Sequence, residues 1–292
     1  MTVLEKVKVN KINYEDFIEM VKNDEFKVEE VSYSDLIDKK NYAVQMYGKT
    51  KKKADKYNVD SVRNLFNELC AEHGEIINIH TYMAEYMELV NAAIDEDYYI
   101  QQLIGEKEKQ VYKDIMELRG YSAYKSNLAE VGLKLLCEKI YDGEYTVVAD
   151  EKSDFILGVD IVLLHHEDDV AHYLHVTKDT KFSMDKLSRK SGKEVTVIDD
   201  RIEVKFGWPD EQVKQHRRRF KNHVLTLYSD GDSFENNTVN GVYIFNEDYI
   251  QELVEDNYGL CGKEQFDELQ YLEISEKQIR ENAWGGRTTT YI

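Results

Sequence analysis

Proline and cysteine are scarce in this sequence. Pro209 is the only proline among 292 residues, and no stretch rich in glycine, serine or proline marks a linker. The three cysteines, Cys70, Cys137 and Cys261, are odd in number and widely spaced. That spacing gives neither a disulfide framework nor a zinc pattern. We therefore expect reduced thiols in packed or partly packed positions.

Long apolar runs and common catalytic motifs are also missing. No segment approaches the roughly 18 apolar residues of a membrane span. The first residues, MTVLEKVKVNKINYEDF, lack the apolar core of a signal peptide. The sequence contains no glycine-rich phosphate loop, no G-x-S-x-G nucleophile elbow and no Cys/His nucleophile pair. We expect a cytoplasmic protein without a membrane partner.

Positive charge is in short supply. Lysine and arginine number 38 against 57 aspartates and glutamates, which gives a net charge of -19. This charge opposes unspecific binding to nucleic acid and to anionic membranes. Hydrophobic residues make up 42% of the chain and aromatic residues 11%, which is typical of a folded protein with a sizeable core.

The apolar spacing in the first part of the chain is helical. Short strand-like pieces at 26–31 and 42–47 come first. The spacing then predicts a helix over 59–70, with Gly74 marking its end, and a longer amphipathic stretch from Glu75 to Leu118, interrupted near Gly105. Residues 1–120 therefore form a mainly helical N-terminal region. Long helices of this kind either pack within their own domain or mediate self-association, so a homo-oligomer is one of two open alternatives.

The hydrophobic pattern changes in residues 121–292, where strand-like runs alternate with helices. Ser126 can cap a helix over 127–141, and polar turns between alternating runs predict two hairpins. The expected fold class is α+β, with the helical region followed by a mixed β-sheet region flanked by helices. The expected strands are 145–149, 155–164, 170–177, 194–198, 201–206, 224–228 and 239–245, and the further helices are 210–223 and 247–256.

Three charged residues lie in this region in a distinctive order of elements. A helix with Glu130 is followed by a strand, a strand with Asp160, a polar turn and a strand ending in Lys178. Over about residues 126–180 this order resembles the core of the PD-(D/E)xK nuclease superfamily. The resemblance implies that Glu130 and Asp160 are ligands of catalytic magnesium. It also implies that Lys178 supplies positive charge near the attacking water or the leaving group.

The sequence departs from that family's pattern at one position. The second strand carboxylate should stand two residues before the lysine, where this chain has Val176. Asp160 also lies in a run that is apolar on both faces, where a carboxylate is costly unless it is paired, hydrogen-bonded or metal-bound. His175 would substitute only through a bulge. A literal Glu203-Val204-Lys205 lies in the separate second hairpin.

Two further groups are candidates for binding. Arg217, Arg218 and Arg219 form the strongest basic patch, which would contact phosphate, the chain's own carboxylates or a second subunit. Histidines and carboxylates also gather around the first hairpin, where they form a metal cluster or a polar turn. No helical or finger spacing supports the cluster, so the turn is favoured. The members of this second group are His165, His166, Glu167, Asp168, Asp169, His172 and His175.

Two functions follow from these observations. The favoured one is an acidic, non-catalytic protein-binding protein that needs no cofactor and occludes a basic, nucleic-acid-binding partner. The 21 tyrosines provide contact groups for such an interface. The composition resembles that of phage or mobile-element proteins of low-GC bacteria, which implies an inhibitor of a host defence protein in the bacterial cytosol. The alternative is a magnesium-dependent nuclease whose Arg217–Arg219 helix grips DNA.

Overall fold

The computed structural model describes residues 12–28, 38, 62, 65–96, 105–149, 153, 159–178, 194–198, 201–205, 222–228, 238–255, 260–263 and 266–267. They divide into two units. The helical unit comprises the described residues between Val3 and Gly132, together with Thr238–Ile244. The sheet unit comprises those in Leu133–Asn237 and Phe245–Ile292.

The described elements mix helices and strands, which confirms the α+β fold class. The α-helices are α1 (Tyr14–Val21), α2 (Leu65–His73), α3 (Ile79–Glu96), α4 (Glu106–Ile140) and α5 (Glu247–Glu255), with a 3-10 turn at Asp24–Phe26. The strands are β1 (Tyr145–Val148), β2 (Ile161–His165), β3 (Val170–Lys178), β4 (Glu194–Ile198), β5 (Arg201–Lys205), β6 (Asn222–Tyr228), β7 (Thr238–Val239), β8 (Val242–Tyr243) and β9 (Leu260–Gly262).

Polar side chains set the starts of helices in the helical unit. The Asn13 side chain accepts a hydrogen bond from the Asp16 N–H at 2.8 Å and caps α1. The Asn78 side chain does the same for the Thr81 N–H at 2.9 Å, at the start of α3. Each cap satisfies a backbone donor that the first helical turn leaves without an intrahelical partner. Gly74, with a φ of 73°, follows the end of α2, where the sequence predicted that the helix ends.

Aromatic rings fill the core between α2, α3 and α4. Tyr124 packs against Phe66 and Tyr82 with ring-centroid distances of 5.7 and 5.4 Å. Its hydroxyl donates a hydrogen bond to the Ile77 carbonyl at 2.9 Å, so the buried polar end is satisfied. At least eight of the 21 tyrosines are buried. At least part of the tyrosine excess therefore serves the core.

A close contact joins α1 to α4 within the helical unit. A Cβ atom placed on Gly132 would lie 2.7 Å from Cε1 of Phe17, whose side chain is fully buried. Glycine at this position lets the aromatic ring lie directly against the helix backbone. This contact explains why glycine stands at position 132, although glycine destabilises the interior of a helix.

One mixed sheet organises the sheet unit. The strand order is β1-β2-β3-β6-β5-β4. β1, β2 and β3 are antiparallel neighbours, and β6 runs parallel to β3. β9 pairs with the first half of β3, on the edge that β6 occupies along the second half. Side chains on both faces of β2 and β3 are buried between Ile161 and Leu163 and between Ala171 and Leu174.

Several sequence expectations are confirmed and others are wrong. Both hairpins are present, with Ile161 opposite Leu174 and Ile198 opposite Arg201. The separate helix over 127–141 is wrong, because α4 runs unbroken through Ser126. The single strand over 239–245 is also wrong, since Asn240 and Gly241, with φ of 50° and 77°, form the turn between β7 and β8.

The first residues also differ from expectation. The strand-like piece at 26–31 begins instead as the 3-10 turn, and α1 was not predicted. The strand over 42–47 and residues 210–221 of the predicted helix lie outside the described residues. Within the described part of the chain, no helix has the length and apolar character needed to cross a membrane.

Candidate functional site

Asp160, the central residue of the nuclease resemblance, lies immediately before β2, so its predicted place within that strand is wrong. Its backbone N–H donates to the Leu174 carbonyl at 2.9 Å. Its Oδ2 accepts a hydrogen bond from the Val176 N–H. A backbone N–H of β3 thus forms a hydrogen bond with the half-buried carboxylate. This bond offsets the free-energy cost of burying the charge.

The other two residues of the resemblance lie in different surroundings. Lys178 ends β3, two residues beyond Val176, and its backbone is registered with Tyr228 of β6. The β2–β3 register places Asp160 beside the part of β3 that leads to Lys178. Glu130 is half-buried on α4, in the part of that helix that belongs to the helical unit.

The remaining sequence candidates are placed as follows. Glu203 and Lys205 lie on β5, opposite Val224 and Asn222 of β6. The basic patch of Arg217, Arg218 and Arg219 lies outside the described residues.

A surface that the sequence revealed only in part lies where β1 meets the β2–β3 turn. Tyr145 is registered with His165, and the His166 N–H donates to the Glu144 carbonyl at 3.0 Å. These contacts bring the turn after α4 beside the turn after β2. We call the five exposed carboxylates gathered there the acidic sheet end. Its members are Asp142, Glu144, Glu167, Asp168 and Asp169.

Two histidines fix the backbone at the acidic sheet end. Nδ1 of His166 donates to the Gly143 carbonyl at 3.0 Å, and its Nε2 lies 3.0 Å from the Thr146 hydroxyl. Nδ1 of His165 accepts from the Asp168 N–H at 2.9 Å. That acceptor role requires that Nδ1 carry no proton in this arrangement. Both histidines therefore act as turn supports, as the favoured polar-turn interpretation expected.

Two carboxylates of the acidic sheet end affect the pKa of the neighbouring Tyr145. Burial raises the pKa of Tyr145, and the carboxylates of Glu144 and Asp168 raise it further. The contacts recorded for those two carboxylates are with His165, at 3.8 Å from Glu144 Oε1 and 3.5 Å from Asp168 Oδ2. Within the described ranges, no lysine or arginine forms an ion pair with the acidic sheet end. Its charge is thus left to attract cationic groups.

The geometry does not gather these carboxylates into a metal cage. In the part of the chain that the structure describes, no group of three or more His, Cys, Asp or Glu residues is arranged to hold a metal ion. Sequence reasoning missed the acidic sheet end because Asp142 and Glu144 are distant in sequence from Glu167. The available signal was the pairing of the strand at 145–149 with the first hairpin, which brings the two turns together.

Comparison with protein-family models, with curated proteins and with solved structures finds no match to this chain. Its function has therefore to be inferred from its own charge and geometry.

Proposed function

We propose that this chain is a non-catalytic, acidic protein-binding protein that docks on a basic, nucleic-acid-binding protein and occludes it. A phage-encoded inhibitor of a host defence protein would act in this way. The observation that carries the proposal is the acidic sheet end, where five exposed carboxylates meet without a lysine or arginine partner among the described residues.

Charge supports this function in two ways. The net charge of -19 steers the chain toward cationic partners over long distances and away from DNA. The acidic sheet end then provides local complementarity, with carboxylates spaced along two adjacent turns in place of a phosphate array. A partner surface that normally binds nucleic acid offers the matching lysines and arginines.

The turn supports make this surface ordered before it binds. His165 and His166 hold the two turns through the Asp168 N–H and the Gly143 carbonyl. A surface that is already ordered loses less conformational entropy on binding than a flexible acidic segment does. This distinguishes the acidic sheet end from a merely solvated run of charge.

A displacement assay tests the proposal. Purified basic DNA-binding proteins of candidate hosts, each bound to fluorescent DNA, are titrated with the full chain. Displacement is expected for at least one of them. The triple variant Asp142→Asn, Glu144→Gln, Glu167→Gln should weaken it by about tenfold or more.

A matched control separates the site from net charge. Glu15→Gln, Glu19→Gln, Glu25→Gln removes the same number of exposed carboxylates from the segment around α1. This control should displace DNA as well as the parent chain does. Equal loss in both triple variants, or no displacement from any protein, would contradict the proposal.

A magnesium-dependent nuclease is the second candidate, and one observation favours it. The hydrogen bond from the Val176 N–H brings the Asp160 carboxylate beside the strand that ends in Lys178. In this candidate Asp160 is a magnesium ligand and Lys178 stabilises charge. Cleavage of supercoiled, linear and single-stranded DNA with magnesium or manganese, lost in Asp160→Ala and Lys178→Ala, would establish it.

A further inference from the structure

The outer edge of β1 provides a second feature beside the acidic sheet end. β1 pairs with β2 on one side, and among the described residues no strand pairs with its other side. The side chain of Thr146 is exposed and Val147 and Val148 are half-buried, so the edge reaches the surface. An exposed strand edge offers unpaired backbone donors and acceptors to an added strand.

The register identifies which backbone groups point outward. The His166 N–H donates to the Glu144 carbonyl, which makes Tyr145 and His165 a non-hydrogen-bonded pair. Alternation then directs the N–H and C=O of Thr146 toward β2 and those of Val147 away from it. Within the described part of the chain, no residue forms a hydrogen bond with the outward groups of Val147.

We propose that this edge binds an extended, lysine- or arginine-rich segment of the partner as an added β-strand. The proposal rests on the proposed function and specifies how that partner binds. Backbone hydrogen bonds to Val147 provide affinity, and Asp142 and Glu144 at the start of β1 select for basic side chains.

Charge decides between this occupant and a second copy of the chain. A second copy would bring the same net charge of -19 and the same acidic sheet end. Pairing two such edges would add repulsion where a basic strand adds attraction. The edge therefore fits a basic segment better than it fits itself.

The test uses a defined probe, a fluorescent peptide of about ten residues that alternates lysine with valine, a usual length for a strand. Its control is the same peptide N-methylated along its whole backbone, which keeps the charge and removes every N–H donor. Anisotropy with the full chain should show binding of the first peptide. Binding of the methylated peptide should be weaker by about tenfold, a loss expected from removing the hydrogen bond that a peptide N–H donates to the Val147 carbonyl.

A variant of the protein tests the other outward group of Val147, its N–H, which would donate to a carbonyl of the added strand. Val147→Pro removes an outward N–H without removing a β1–β2 hydrogen bond, which is where an edge strand tolerates proline. It should weaken binding of the unmodified peptide by about tenfold and leave the methylated peptide unchanged. If the variant fails to fold by circular dichroism, the comparison of the two peptides on the parent chain decides alone.

The outcomes separate this inference from the proposed function. Equal binding of both peptides, weakened by the triple variant of the acidic sheet end, overturns strand addition and leaves charge-led docking intact. Failure of both peptides and of every basic protein overturns both. A dimer in sedimentation that Val147→Pro abolishes would show that the edge pairs with a second copy, and would also overturn the inference.

Discussion

The carboxylate of Asp160 accepts a hydrogen bond from the backbone N–H of Val176. This bond lies just beyond the last registered pair of the β2–β3 ladder, Ile161 with Leu174. The side chain thus continues the ladder by one bond in place of a backbone carbonyl. Asp160 therefore has a structural role that does not require a metal ion.

Replacing Asp160 separates this structural role from a catalytic one. Asp160→Ala leaves the Val176 N–H without its acceptor and should lower the free energy of unfolding by about 1–3 kcal/mol. Asp160→Asn keeps an acceptor oxygen and should cost less. Urea unfolding of the two variants measures the difference. Equal destabilisation by Ala and Asn would show that the charge, and not the hydrogen bond, is what the fold requires.

Gly132→Ala should destabilise the helical unit despite the better helix propensity of alanine. The added Cβ would lie 2.7 Å from the buried Phe17 ring, which has to shift. Overpacking costs about 1–3 kcal/mol and exceeds the gain of about 1 kcal/mol from propensity. Thermal unfolding measures the change.

Gly105→Ala is the matched control at the other end of the long helix. Its added Cβ would meet nothing closer than Glu108 Oε2 at 3.9 Å, so stability should change by less than about 1 kcal/mol. Combining Gly132→Ala with Phe17→Leu should cost less than the sum of the two single changes. Strict additivity would contradict the proposed clash.

Cys70 and Cys137 should resist thiol reagents in the folded protein. Both are free and buried, and burial raises the pKa of Cys70 to about 11 and that of Cys137 to about 12. The thiolate is the reacting form, so alkylation should stay slow at pH values where an ordinary thiol, with a pKa of about 8.5, reacts quickly. Mass spectrometry of a Cys261→Ser chain, native and in denaturant, measures the protection. Rapid native labelling would contradict the buried positions.

Stability should fall as the solution becomes alkaline. Burial raises the pKa of Cys70 to about 11 and raises those of Tyr82 and Tyr124 well above their usual range. The unfolded chain releases these protons from about pH 9 upward, whereas the folded chain retains them. The folded state then binds more protons, so the free energy of unfolding decreases with pH in that range. Urea midpoints that stay constant from neutral pH to about pH 10.5 would contradict this sign.

Local patterns predicted the elements whose signals lie within a few residues. Alternating apolar residues around a polar turn predicted the β2–β3 and β4–β5 hairpins, and the helical spacing predicted α5. Both kinds of signal are short-range, because a strand repeats every second residue and a helix about every 3.6. The odd number and wide spacing of the cysteines predicted reduced thiols in packed or partly packed positions, which is confirmed for Cys70 and Cys137.

Long-range packing decided the features that the sequence could not predict. Ser126 has the chemistry of a helix cap, yet α4 continues through it because buried residues on both sides, such as Tyr124 and Leu128, keep the helix packed. The acidic sheet end likewise depends on the pairing of β1 with β2. No pattern confined to the Asp142 turn indicates that the Glu167 turn lies beside it.

Docking led by charge at the acidic sheet end should be visible in the rate of association with the basic partner. The most direct test is the association rate constant, measured by stopped flow against ionic strength with the partner found in the displacement assay. We predict that the rate falls steeply with salt for the parent chain and for the Glu15, Glu19, Glu25 control, and less steeply for the Asp142, Glu144, Glu167 variant. Rates that are equal at low and high salt, or slopes that are equal for all three proteins, would contradict the account.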